Sequence, residues 1–126
     1  MALALVLPGC LGGDEEPQAA KGAPREIAQV VERLERATAA GDFSAVCDDL
    51  FTAAARERAG GGDCERLTRS AAQGIERPRL RLTAIEVEGG RAIARVTTQA
   101  AGQADVPEAI ELRREGGEWR VEALQD

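Results

Sequence analysis

Two glycine pairs, Gly89-Gly90 and Gly116-Gly117, constrain this chain more than any other feature of its sequence. Each pair sits between two runs of alternating apolar residues, which is the pattern of a tight antiparallel hairpin with a two-residue turn. Counting outward from the first turn sets Val87 opposite Ala92 and Ile85 opposite Ala94. The second turn sets Arg114 opposite Trp119, Leu112 opposite Val121 and Ile110 opposite Ala123. Each hairpin therefore brings apolar side chains together on one face, and that face fixes the register. Leu80 and Leu82 alternate in the opposite phase to Ile85 and Val87, and one extra residue near Thr83-Ala84 reconciles them, which is the signature of a β-bulge. The turn joining the two hairpins falls near Ala101-Gly102-Gln103, and Pro107 marks an edge or the start of a strand.

Ahead of Pro78 the apolar period is helical. Pro24 suits the first turn of a helix, and Ile27, Val30, Val31 and Leu34 then recur at the spacing of one buried helix face. Gly41 stops this helix and Asp42 can cap a second one, whose apolar face is Phe43, Val46, Cys47, Leu50, Phe51 and Ala54. Gly60-Gly61-Gly62 breaks the chain, Asp63 can cap a third helix carrying Cys64, Leu67, Ala71 and Ile75, and Arg77-Pro78 ends it. Three helices followed by a four-stranded antiparallel sheet make an α+β domain over residues 24–126.

What the sequence lacks narrows its chemistry. It has no His and no Tyr, and its aromatic residues are Phe43, Phe51 and Trp119. Without His there is no imidazole base or metal ligand, and without a CxxC spacing a zinc site is not expected. No cofactor is implied. So few aromatic rings, with a net charge of −6, argue against nucleic acid as a partner. Ser44 and Ser70 have no imidazole partner for a triad. Gly60-Gly61-Gly62 lacks the Lys-Ser or Lys-Thr of a phosphate loop and reads as an interhelix loop. Arg77, Arg79 and Arg81 alternate as the charged guard of an edge strand would.

Residues 1–9 are apolar and uncharged, and Cys10 follows at once. Leu7-Pro8-Gly9-Cys10 resembles the lipobox of bacterial lipoproteins, in which the cysteine takes lipid on its sulfur and becomes the first residue of the mature chain. Residues 1–9 then read as the remnant of a signal peptide whose initiation site lies upstream. Residues 10–23, rich in Gly, Ala, Pro and acid, read as the anchor and a flexible tether, with Asp14, Glu15 and Glu16 as solvated charges. The expected location is the extracytoplasmic side of a cell membrane.

Three cysteines leave one over in an exported protein unless one is consumed by lipid. With Cys10 lipidated, Cys47 and Cys64 remain, either as a disulfide or as two buried thiols. A bridge would close a loop of about 15 residues and contribute about 3 kcal/mol in the chain-entropy model.

The order of elements resembles the nuclear transport factor 2-like superfamily, an α+β cone whose helices close over a strongly curved sheet. The resemblance rests on the helical first half, on Gly90 to Val96, and on Ile110 to Val121, where a glycine turn is followed by Trp119 and an alternating strand. It spans residues 25–124, and the paired cysteines in the helical half look like those of small exported lipoproteins of this superfamily. Enzymes of the superfamily, such as ketosteroid isomerases, polyketide cyclases and scytalone dehydratases, place His, Tyr, Asp or Arg in the cone. Here only carboxylates could serve, with Asp48, Asp49, Glu86 and Glu111 as candidates. Asp48 and Asp49 are adjacent on a helix and diverge by about 100°, and Glu86 falls on the sheet face away from Ile85 and Val87. The expectation is therefore a domain without catalytic residues, acting by binding or protein interaction. A homodimer or an envelope protein partner would use the sheet face. The alternative is a small enzyme of the same fold that uses carboxylates on an apolar substrate.

Overall fold

The computed structural model describes the backbone of residues 6–125 and the side chains of residues 22–125. Its elements in order are α1 (Val6–Ala40), α2 (Phe43–Ala45) running directly into a π-helical turn (Val46–Leu50), α3 (Ala53–Arg58), a 3-10 turn (Gly61–Asp63), α4 (Cys64–Ala71) and four strands. The strands are β1 (Arg79–Glu88), β2 (Arg91–Gln99), β3 (Val106–Glu115) and β4 (Glu118–Gln125). They form an antiparallel meander in the order β1-β2-β3-β4, curved but not closed, with the helices over its inner face.

The expected face of α1 is buried: Ile27, Val30, Val31 and Leu34 all pack into the core. The helical backbone also runs on toward the amino end from Pro24 to Val6, through residues 10–23 that read from sequence as a tether. Glu15, Glu16 and the stretch Gln18 to Lys21 are good helix formers, a propensity that the surrounding Gly and Pro mask.

The second helix departs from expectation. Asp42 caps it, its carboxylate accepting from the Ala45 N–H at 3.2 Å, but the helix widens into the π turn and then breaks. Phe51 and Thr52 are extended, and α3 begins with Thr52 as its cap, the hydroxyl accepting from the Ala55 N–H at 3.0 Å. The wider turn and the break shift the helical phase, so Ala55 is buried where Ala54 was expected. In α4 the Asp63 side chain makes no capping bond. Cys64 turns inward, with Thr68 and Ala72 half-buried one and two turns on, whereas Leu67 and Ile75 are 43% and 40% exposed. The bond from Cys64 to Cys47 decides which face of this short helix points in. Gly60 makes the approach to α4 possible: its φ is +120°, and a Cβ there would lie 2.6 Å from Leu67 Cδ1.

The first hairpin has the expected register, Val87 against Ala92 and Ile85 against Ala94, with a bulge between Leu82 and Ala84. In the second, Arg114 pairs with Trp119 and Leu112 with Val121 as expected. Beyond that point the expected pairing fails: Ile110 lies opposite Leu124, not Ala123, and Glu111 lies opposite Ala123. Glu122 is the extra residue, left out of the ladder by a second bulge.

That bulge ties the helices to the sheet. The Thr52 hydroxyl donates to the Glu122 carboxylate at 2.8 Å, and the Thr52 N–H donates to the Val121 carbonyl at 2.9 Å. Phe51 makes a parallel bridge with Val121. The Arg58 guanidinium donates to both the carbonyl and the carboxylate of Glu122. The chain between the π turn and α3 thus covers the free edge of β4. At the opposite edge, the Glu35 carboxylate on α1 accepts from the Leu80 N–H at 2.7 Å, which satisfies an edge donor of β1. The β4 edge is thus covered, and one donor of the β1 edge is answered by a side chain.

Cys47 and Cys64 form a disulfide that joins the π turn to the start of α4. Replacing both with serine should cost about 3 kcal/mol, the chain-entropy value for a loop of about 15 residues. Urea unfolding of parent and variant is the measurement, and equal midpoints would refute the estimate. The Glu122 carboxyl is held below the usual carboxylate range, chiefly by the Thr52 hydroxyl and further by the Arg58 guanidinium, against an opposing effect of burial. A lowered folded-state value stabilises the fold fully above the unfolded glutamate value of about 4.3, and the stabilisation is lost as the pH falls from there through the folded value. Acid unfolding followed by circular dichroism should therefore be less steep in Glu122→Gln than in the parent. Thr52→Val, which keeps the shape but leaves polar partners unpaired, should cost about 1–3 kcal/mol at neutral pH.

Candidate functional site

In many α+β cones a site lies between sheet and helices, so the filling of that space comes first. Here it is occupied by side chains. Ile27 and Leu34 from α1 and Val46 and Leu50 from the π turn meet Ala94, Ile110, Leu112, Trp119 and Val121 from the sheet. Ile27, Ala94 and Leu112 have no exposed surface at all.

The candidate carboxylates lie outside this core and apart from one another. Asp48 pairs with Arg56 at 3.2 Å on the surface of the π turn, and Asp49 is exposed beside it. Glu86 lies on the outer face of the sheet, 3.7 Å from Arg95, and Glu111 is half-buried on the same face two strands away. Among the described residues no group of three or more acidic or cysteine side chains is placed to hold a metal ion. No described helix is long and apolar enough to cross a membrane.

The remaining sequence candidates divide simply. Cys10 falls within the backbone of α1, but its side chain lies outside the described ones, as do those of Asp14, Glu15 and Glu16. Residues 1–5, the start of the apolar run, also lie outside the described residues. Cys47 and Cys64 are bonded to each other and half-enclose the Thr68 hydroxyl, at 3.8 and 3.7 Å. Gly60 to Gly62 form the interhelix loop. The Ser44 hydroxyl donates to Asp42, and Ser70 is exposed on α4. Arg79 pairs with Glu35 at 3.7 Å, which places the arginine stripe of β1 beside an open cleft of about 360 Å³ between α1 and β1.

Two surface features gather polar groups. On the outer face of the sheet, Glu88, Arg91, Arg113 and Arg120 stand side by side across the four strands. The neighbouring row is Glu86, Ile93, Glu111 and Ala123. Three arginines directly opposite one another repel, and carboxylates of the same chain answer them: Glu88 lies opposite Arg91, and Arg113 helps to hold the Glu122 carboxyl low. Arg120 is partly relieved by Glu118 at 3.1 Å and by the Asp48 carbonyl at 3.3 Å.

The second feature surrounds Trp119. The Arg114 guanidinium lies over the indole, 5.5 Å from its centroid, the cation–π pair that their register predicts. Arg114 is held there by Glu26 of α1 at 3.3 Å. The ring borders an open cleft of about 270 Å³ between α1 and the β3–β4 turn, and its buried Nε1–H has no acceptor among the described residues. Sequence reasoning missed this orphaned donor, because only the packing of α1 against the turn brings Arg33 and Asp49 to the same cleft. It also missed the Thr52–Glu122–Arg58 cluster, for which the one sequence signal is a threonine directly before Ala53-Ala54-Ala55.

No family model matches the chain, and no curated protein sequence matches it. Solved structures do. A nuclear transport factor 2-like protein of unknown function from Silicibacter pomeroyi superposes with a TM-score of 0.64 at 18% identity, over 83% of this chain and 94% of that one. A second such protein of unknown function, from Shewanella baltica, gives a TM-score of 0.59 at 14% identity, over 82% and 90%. A de novo designed protein of this fold gives 0.50 at 14% identity, over 81% and 83%. At these identities the likeness is one of architecture, and on architecture the natural and designed structures agree with the meander and helices described above: the chain has the nuclear transport factor 2-like fold.

Proposed function

We propose that this protein is a lipoprotein, held on the extracytoplasmic side of a cell membrane by lipid on Cys10, whose domain acts by binding and not by catalysis. The observation that carries the reading is the division of the cysteines. Cys47 and Cys64 are consumed by one bond, so of the three cysteines Cys10 alone is left over, directly after Leu7-Pro8-Gly9. A structural disulfide agrees with an oxidising compartment, and a lipid on the remaining cysteine resolves the odd count. Binding in place of chemistry is supported by an interior filled with aliphatic side chains and Trp119, and by candidate carboxylates dispersed over the surface.

A second element of the reading concerns the partner. The arginine row on the outer face lies beside a row that contributes Glu86 and Glu111 around the half-buried Ile93. A second copy related by a two-fold axis between the rows sets arginine against glutamate twice, the self-complementary arrangement of a two-fold dimer.

Metabolic labelling with a fatty acid, in parent and Cys10→Ala, tests the anchor. Label should enter the parent alone, and equal labelling or none refutes it. Sedimentation equilibrium of the full chain tests the partner. A dimer in the parent that dissociates in Arg113→Glu is expected, and a parent that sediments as a monomer would sink the self-pairing.

A further inference from the structure

β1 is an outer strand of the sheet, and the Leu80 N–H, bonded to Glu35, fixes which of its backbone groups point away from β2. They are those of Leu80 and, by alternation, Leu82. At the far end Glu88 and Arg91 flank a two-residue turn and bond to each other, so the backbone groups of Val87 and Ile85 also point off the edge. The bulge between Leu82 and Ala84 reconciles the two phases. The side chains of the same four residues lie on the inner face, packed against the core but only half-buried, whereas Ala92, Ala94 and Val96 beside them on β2 are buried. On the outer face Arg79 and Arg81 precede the bulge and Glu86 and Glu88 follow it, all exposed. Arg81 has no ion-pair partner among the described residues, and Glu86 has a surface contact with Arg95 at 3.7 Å.

We infer that β1 pairs antiparallel with β1 of a second copy, about a two-fold axis at Thr83-Ala84, so that the two sheets join edge to edge. In this register Leu80 faces the partner's Val87 and Leu82 faces the partner's Ile85. Each pair sets free backbone groups against free backbone groups and an apolar side chain against an apolar one. Arg79 faces the partner's Glu88 and Arg81 the partner's Glu86, at the non-bonded positions where side chains stand closest. The two-fold axis repeats every contact. A shift of one residue sets Leu80 against Glu86 or Glu88, and a shift of two leaves one arginine of each copy opposite Ala84 or Gly90. The arginines that guard this edge against other strands therefore do not guard it against its own copy, because β1 is basic before the bulge and acidic after it. The open cleft of about 360 Å³ between α1 and β1, lined by Ala28, Val31, Leu80 and Leu82, receives the partner's Ile85 and Val87. Glu35 yields the Leu80 N–H to the carbonyl of the partner's Val87. The contact requires neither the lipid anchor nor the pairing of outer faces.

A single added strand that must displace Glu35 makes a weak contact, with an expected Kd of about 0.1–1 mM. It is read in the full chain carrying Cys10→Ala, which keeps lipid and intermolecular disulfides out, and Arg113→Glu, which breaks the pairing of outer faces. In nitrogen-15 correlation spectra recorded on dilution through that range, the amides of Leu82, Ile85 and Val87 should shift while those of β4 stay. In this background Arg81→Glu and Glu86→Arg should each weaken self-association about tenfold, since every substitution acts twice across the two-fold axis. The two together should restore it, because the exchanged charges again face each other. Amides of β1 that do not move on dilution overturn the proposal, as does a double variant no tighter than the single ones. Shifts confined to β3 and β4 would place the self-contact on the outer face and overturn it equally. A chain that is monomeric when dilute but pairs through β1 when concentrated refutes the outer-face pairing and leaves the edge pairing standing.

Discussion

Glu122 sits where β4 takes one residue more than β3 can pair with, and there the helical half of the molecule is fastened to the sheet. Left in the ladder, its side chain would follow the alternation of its neighbours. Pushed out of it, the carboxylate reaches the Thr52 hydroxyl at 2.8 Å while its carbonyl and carboxylate together receive Arg58. Thr52 is itself 1% exposed: its N–H covers the strand edge at Val121, while its hydroxyl caps α3 and orders the carboxylate. The break between the π turn and α3 follows from this, since the residues there must be extended to run beside Val121. The disulfide then fastens the same π turn to α4. A domain of this size has a modest core, and such local fastenings contribute a large share of a net stability that is small in any protein of its length.

How far the fold was legible follows from what each element depends on. Both glycine turns, the first bulge and the inner face of the sheet as far as Val121 depend on local alternation, and these appear where the sequence places them. The face of α1 is equally local, and Ile27, Val30, Val31 and Leu34 are buried as their spacing demands. The second bulge is another matter. Ala123 and Leu124 are both apolar, so hydrophobic pattern alone cannot say which of them faces Ile110. The choice is made by Thr52 and Arg58, some seventy positions earlier in the chain. The same nonlocal contact displaced the expected apolar face of the second helix by one residue, from Ala54 to Ala55. In α4 the expected stripe of Leu67, Ala71 and Ile75 lost to a disulfide that turns Cys64 inward.

The cation–π pair of Arg114 and Trp119 was legible because both residues flank one turn, whereas the cleft beside it was not. Arg33 comes from α1 and Asp49 from the π turn, and neither has a sequence neighbour that hints at the other.

Where polar groups can act in this molecule is set by how the core is filled. The sheet's inner face is Ala, Val, Ile and Leu wherever the helices cover it, and the helices answer with Ile27, Leu34, Val46 and Leu50. A cone filled in this way has given its interior to stability, and its polar chemistry is carried outward, to the arginine row, the α1–β1 cleft and the rim around Trp119. The arginine row is the more telling of these. In a chain of net charge −6 the cheapest outer face would alternate signs along every rung. Arg91, Arg113 and Arg120 abreast depart from that alternation, and the chain answers them with its own carboxylates: Glu88 opposite Arg91, Glu122 within the field of Arg113, and Glu118 at 3.1 Å from Arg120.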